Sequence, residues 1–261
     1  MIDLNYIRGF FPQVIAENAA FQKHILKEYV ELLALEWMAR SSFSNKLVFI
    51  GGTNLRLVQG INRFSEDLNF DCKNLSNEEF MQMTDQLLRY LQMHGLHVET
   101  RDADNAHLSA FRRNIYFPEL LFSLKLTGHR DARFLLKIEA QDQAVSYPRE
   151  MATVNRMGFF FPIAVPPLSV LLSMKLCALI ARQKGRDFYD VIFLWQRTKP
   201  DYVFLSQRAG IKDITQLKAK LQEVVANTNL ALKQRDFEHL LFEPQKSEQI
   251  LHFMDIINSL I

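Results

Sequence analysis

Residues 49–71 read FIGGTNLRLVQGINRFSEDLNFD, and this stretch decides the fold. It begins at the end of Leu47–Ile50, an apolar run with β-branched and aromatic residues that predicts a buried strand. Gly51, Gly52 and Thr53 predict a glycine turn, and residues 54–59 a short helix after it. Strand, turn and helix N-terminus together aim backbone N–H groups at one point, which suits phosphate. Ser65-Glu66-Asp67-Leu68-Asn69-Phe70-Asp71 then predicts a second strand. Alternate strand residues share a face, so Asp67, Asn69 and Asp71 line one side while Leu68 and Phe70 turn to the core. Oxygen ligands beside a phosphate cradle are how a protein presents Mg²⁺ to a nucleoside triphosphate.

A second patch runs from Lys175 through Arg182 to Arg186-Asp187-Phe188-Tyr189-Asp190. Gly51-Gly52-Thr53 followed by Arg63-Phe64-Ser65-Glu66-Asp67-Leu68-Asn69-Phe70 resembles the signature of the AbiEii/AbiGii-type nucleotidyltransferases, and the second patch is similar to that family too. These are the toxin halves of bacterial type IV toxin–antitoxin and abortive-infection pairs, on the polymerase-β-like nucleotidyltransferase fold. The resemblance implies an α/β (α+β mixed) fold: a mixed sheet with helices, followed by a helical C-terminal domain. It implies transfer of a nucleotide from an NTP to an acceptor, a tRNA end, with Mg²⁺ or Mn²⁺ as cofactor. It also implies a cognate antitoxin encoded nearby.

Asp67 is the candidate catalytic and metal-binding carboxylate, its structural alternative being a cap on a turn. Asn69 departs from the family's commonest pattern, Asp-x-Asp. An amide oxygen ligates a hard cation but brings no charge. Weaker metal binding and loss of function are both open. Asp71 does not replace it, because two residues of strand span about 6.6 Å. Gly51, Gly52 and Thr53 are the candidate phosphate cradle. Ser65 can bond a phosphate or cap the turn, and Arg63 and Arg56 can offer charge to phosphate or serve structure.

Glu139 lies in residues 134–141, where Lys137, Glu139 and Gln141 alternate with Leu136, Ile138 and Ala140. By the resemblance, a carboxylate from a neighbouring strand completes the metal site and accepts the proton of the attacking hydroxyl. Glu139 fits that role, and its alternative is a surface residue paired with Lys137; Asp142 falls on the opposite face. Lys175 is a lysine inside an apolar helix, costly unless it snorkels or meets an anion. The resemblance sets Lys175 on the triphosphate, with Arg182 on the same helix face and Asp187 orienting Lys175 or a hydroxyl. A structural Asp–Lys bridge is the other reading.

The remaining chain supplies the framework. Residues 18–40 predict a long amphipathic helix. Ser76 and Glu79 form a capping-box pattern for a helix that Gly95 ends. Strands are expected at 97–101, 112–117, 134–141 and 151–161, a polar loop at 102–109, and a break at Pro162 and Pro166-Pro167. Helices follow at 168–182, 186–197, 214–226, 235–242 and 247–260. The expected domains are 1–165, a nucleotidyltransferase core, and 166–261, a helical domain.

The 261 residues carry 48% hydrophobic and 23% charged side chains, enough apolar content for a sizeable core. A net charge of +2 is not the signature of a dedicated nucleic-acid binder and leaves a local basic patch open. Cys72 and Cys177 have no metal-ligand spacing, and the seven histidines show none either. Neither a secretory signal nor a membrane-length apolar run is visible, so no membrane partner is expected and the cytoplasm is the expected compartment. Two other classes remain open: a catalytically degenerate nucleotide-binding protein, and a phosphotransferase using the same pocket.

Overall fold

The computed structural model describes residues 2–100 and 110–260; the loop expected at 102–109 lies outside them. The chain divides into two compact units. One comprises Met1–Gln59, Phe64–Gln143 and Met151–Val165, and the other Gly60–Arg63, Ala144–Glu150 and Pro166–Ile261.

The first unit holds a five-stranded sheet of β1 (Leu47–Ile50), β2 (Asp67–Cys72), β3 (Glu99–Thr100), β4 (Phe111–Tyr116) and β5 (Leu135–Gln141), in the order β1-β2-β5-β4-β3. β2 and β5 run parallel and every other pair is antiparallel, so the sheet is mixed. Period-two alternation drives the assembly. Leu68, Leu136, Ile138 and Ile115 are fully buried on one face, while their sequence neighbours form the other. Helix Gln22–Arg40 packs against β2 and β5, and helix Asn77–Met93 against β4. Ser76 and Glu79 close the second helix with the expected reciprocal capping box.

Two expectations change here. No separate glycine turn precedes a helix at residue 54: the helix spans Gly51–Leu57, directly after β1. Gly51 opens it at φ +83°, and a Cβ built there would lie 3.0 Å from the Asn69 Cβ. The single strand expected at 151–161 is a hairpin, β6 (Glu150–Arg156) and β7 (Phe159–Val165). Met157 (φ 48°) and Gly158 (φ 81°) both take the left-handed conformation that a two-residue hairpin turn requires. Pro162 therefore marks no break; it lies within β7, exposed, where a two-stranded ribbon tolerates a missing donor.

The second unit is helical: Leu168–Arg182, Gly185–Trp195, Tyr202–Ala209, Ile214–Ala226, Leu230–Arg235 and Phe253–Ser259, with 3₁₀ turns at Glu238–Leu240 and Pro244–His252. The helix expected at 235–242 ends at Arg235, and that expected at 247–260 is 3₁₀ up to His252. The Tyr202–Ala209 helix is additional, capped by the Asp201 side chain and stopped at Gly210 in the left-handed conformation. Phe188 meets Phe253 edge-on at 5.1 Å, and Tyr189 packs on Phe237 at 5.6 Å. Among the described residues no helix is long and apolar enough to cross a membrane.

Gly51→Ala adds a side chain at a left-handed position and against β2. It is expected to cost about 1–2 kcal/mol from the backbone conformation alone, before the clash is counted. A lowered urea midpoint checks this, and an unchanged midpoint contradicts it.

Candidate active site

The parallel register of β2 and β5 sets Asp67 opposite Lys137 and Asn69 opposite Glu139, while β4 sets Arg112 opposite Glu139. These five side chains share one face of the sheet. The Lys137 Nζ lies 3.0 Å from Asp67 Oδ2 and 3.7 Å from Glu139 Oε1. Arg112 Nε donates to the same Glu139 oxygen at 2.6 Å. Asn69 Nδ2 donates to the Asp67 carbonyl at 3.1 Å. Asp71, on the same strand, is fully buried and accepts from the Gln143 backbone N–H at 2.9 Å, a structural role.

The helix after β1 closes on this strand. Thr53 is fully buried, and its hydroxyl donates to the Asp67 carbonyl at 2.7 Å. Its hydroxyl is thereby engaged in structure, leaving the backbone N–H groups of Gly51, Gly52 and Thr53 as the first-turn donors. Ser65 is half-buried just before β2. Arg56, considered for phosphate, is buried in a two-pronged pair with Glu28 at 2.7 and 3.2 Å, and Arg156 joins Glu28 at 3.1 Å.

The other candidates belong to the helical unit. Arg63 forms a two-pronged pair with Asp190, both bonds 2.7 Å, and both residues are almost wholly buried. Lys175 reaches the same carboxylate at 2.6 Å. The residue that orients Lys175 is therefore Asp190. Asp187, expected in that role, binds Arg182 in a two-pronged pair at 2.7 and 2.8 Å. Burial pushes the Asp190 carboxyl up, but the Arg63 and Lys175 cations more than reverse this and hold it below the usual carboxylate value. Burial lowers the Lys175 ammonium, with Asp190 and Asp187 opposing. Arg63 is thus bound inside the helical unit, which accounts for its structural reading.

Sequence reading missed Glu31. It lies in helix Gln22–Arg40, 1% exposed, and its Oε1 has no hydrogen-bond partner among the described residues. Burial raises its carboxyl well above the ordinary value; Lys27 opposes, and Glu28, Asp67 and Glu66 add to the rise. The available signal was the pair Glu28 and Glu31, three apart within an otherwise apolar helical stripe.

A hard cation takes oxygen ligands. Asp67 and Glu139 flank one point, now taken by an ammonium, and the Asn69 amide is beside them. Among the described residues no group of three or more His, Cys, Asp or Glu is arranged around a metal position. Two carboxylates and an amide oxygen are thus the ligands on offer.

A family model described as "Nucleotidyl transferase AbiEii toxin, Type IV TA system" matches residues 33–258. No curated protein matches by sequence. Among solved structures, JHP933 from Helicobacter pylori is 18% identical with a TM-score of 0.55, over 91% of this chain and 91% of its own. The nucleotidyltransferase toxin MenT4 from Mycobacterium tuberculosis H37Rv is 14% identical with a TM-score of 0.59, over 100% of this chain and 98% of its own. At such identities the likeness is one of fold.

Asp190→Ala leaves two buried cations without their carboxylate, and a loss of about 3–5 kcal/mol in unfolding free energy is expected by chemical denaturation. Glu31 behaves oppositely. Its raised folded pKa makes the folded chain hold a proton that the unfolded chain has released, so this contribution is full below the ordinary glutamate value and fades as pH rises through the folded one. Glu31→Gln cannot ionise. Its melting temperature should exceed that of the wild type near neutral pH, with the gap closing towards about pH 4; parallel curves would contradict a protonated Glu31.

Proposed function

This chain belongs to the AbiEii nucleotidyl transferase toxins of type IV toxin–antitoxin systems, and on that basis we propose that it moves NMP from an NTP to the end of a tRNA in the cytoplasm, with a cognate antitoxin encoded nearby. The observation that carries this reading is the position between Asp67 and Glu139, two carboxylates of adjacent parallel strands within 3.7 Å of one cation. Asp67, Glu139 and the Asn69 oxygen would hold Mg²⁺ or Mn²⁺ there. Such an ion neutralises the triphosphate and orients its α-phosphate for in-line attack.

The chain's own groups do the rest. Glu139, kept in place by Arg112, accepts the proton of the attacking hydroxyl. The first-turn N–H groups of Gly51, Gly52 and Thr53 bind phosphate oxygens, and Ser65 adds a hydroxyl beside them. Within the helical unit Lys175 is held by Asp190 and Arg182 by Asp187. The tRNA acceptor follows from the family resemblance alone. Asn69 supports a second reading, a nucleotide binder without turnover, because the second acidic ligand is missing.

Purified protein with Mg²⁺, total tRNA and each α-labelled NTP in turn should label tRNA. Asp67→Ala should reduce the labelling on the order of a hundredfold or more, since a metal ligand supports several kcal/mol of transition-state stabilisation. Transfer of γ-label instead would identify a phosphotransferase. Bound NTP with no transfer would identify the degenerate binder.

A further inference from the structure

The face that carries Asp67 has an unusual charge balance for a metal site. Asp67 and Glu139 contribute two negative charges, Asn69 contributes none, and Lys137 and Arg112 contribute two positive charges. Formally these five side chains sum to zero. Lys137 is fixed in this role by the register, because the residue opposite Asp67 on the parallel neighbour must share its face. Its ammonium lies within ion-pair distance of both carboxylates, the residues that would hold a divalent ion. At the strand position opposite Glu139 stands the uncharged Asn69. Lys137 and Arg112 offset the two carboxylates, so in the absence of a triphosphate these side chains carry no surplus negative charge to balance two divalent ions.

We propose that the Lys137 ammonium is a built-in cation of this site, standing in for one of the two divalent ions that a nucleotidyl-transfer site can hold, so that the chain takes up a single divalent ion. The proposal rests on the nucleotidyl-transfer reading above. On binding of a triphosphate and one divalent ion, Lys137 moves from the carboxylates to the phosphate oxygens and frees Asp67 and Glu139 as ligands. The long, rotatable lysine stem, about one-third exposed, permits that movement without displacing the strand.

Equilibrium binding of Mn²⁺ alone tests this, followed by loss of the free-ion paramagnetic signal. The wild type should bind weakly and at one site per chain. Lys137→Met removes the competing charge while keeping the apolar stem, and should bind Mn²⁺ at least about tenfold more tightly. Asn69→Asp restores the missing charge with Lys137 in place and should also tighten binding, which guards against a folding defect in the first variant. Two ions per wild-type chain, or no tightening in either variant, would overturn the single-ion proposal while leaving the nucleotidyl-transfer reading intact. Mn²⁺ binding that Asp67→Ala does not weaken would instead overturn the metal assignment itself, and the proposal with it.

Discussion

The parallel pairing of β2 with β5 is the constraint on which the site depends. A strand has period two, so a slip of one residue would turn Leu68 to the polar side and Asp67 into the core. Leu68, Leu136 and Ile138 prevent the slip, since each fully buried aliphatic side chain contributes about 1.5–3 kcal/mol. The apolar face thus fixes the polar one. Two further bonds hold the ends of β2: Thr53 to the Asp67 carbonyl at its start, and Asp71 to the Gln143 N–H near its finish. The chemistry of the face is set by residues that never touch it.

The helical unit solves a different problem. Burying Arg63 and Lys175 would be costly if either lacked a partner, and one carboxylate serves both. Asp190 can do so because it has two oxygens: Arg63 takes both in a fork, and Lys175 adds a bond to the second. Asp187 sits one turn earlier on the same helix and bonds Arg182. The two aspartates divide the cations between them in a manner that helical phase alone does not decide.

Much of this was legible in the sequence. β1, β2 and β5 are written in alternating or continuous apolar runs, and the Ser76–Glu79 capping box is a local pattern with a local cause. The β6–β7 hairpin was not legible, because Met157-Gly158 lacks the usual Asn-Gly or Asp-Gly signature and the aromatic run after it continues the apolar pattern. The shared face of Asp67 and Asn69 followed from period two, and that of Glu139 from its own alternation. Their meeting at Lys137 required the strand order, which no local pattern encodes. Glu31 stayed hidden because a carboxylate kept in the core by burial looks, in sequence, like any polar residue of an amphipathic helix.

The segment Gly60–Arg63 belongs to the helical unit although it precedes β2 in the chain. Its partners arrive late: Asp190 is 127 residues further on, Leu241 pairs with Arg63, and the Phe242 N–H bonds the Asn62 carbonyl. During synthesis the segment therefore waits, with a cationic side chain still in water, until Asp190, Leu241 and Phe242 have emerged. Closure over so long a loop is slow compared with local helix formation. Completion of the helical unit thus waits on residues 190 and 241–242, long after the segment itself has been made.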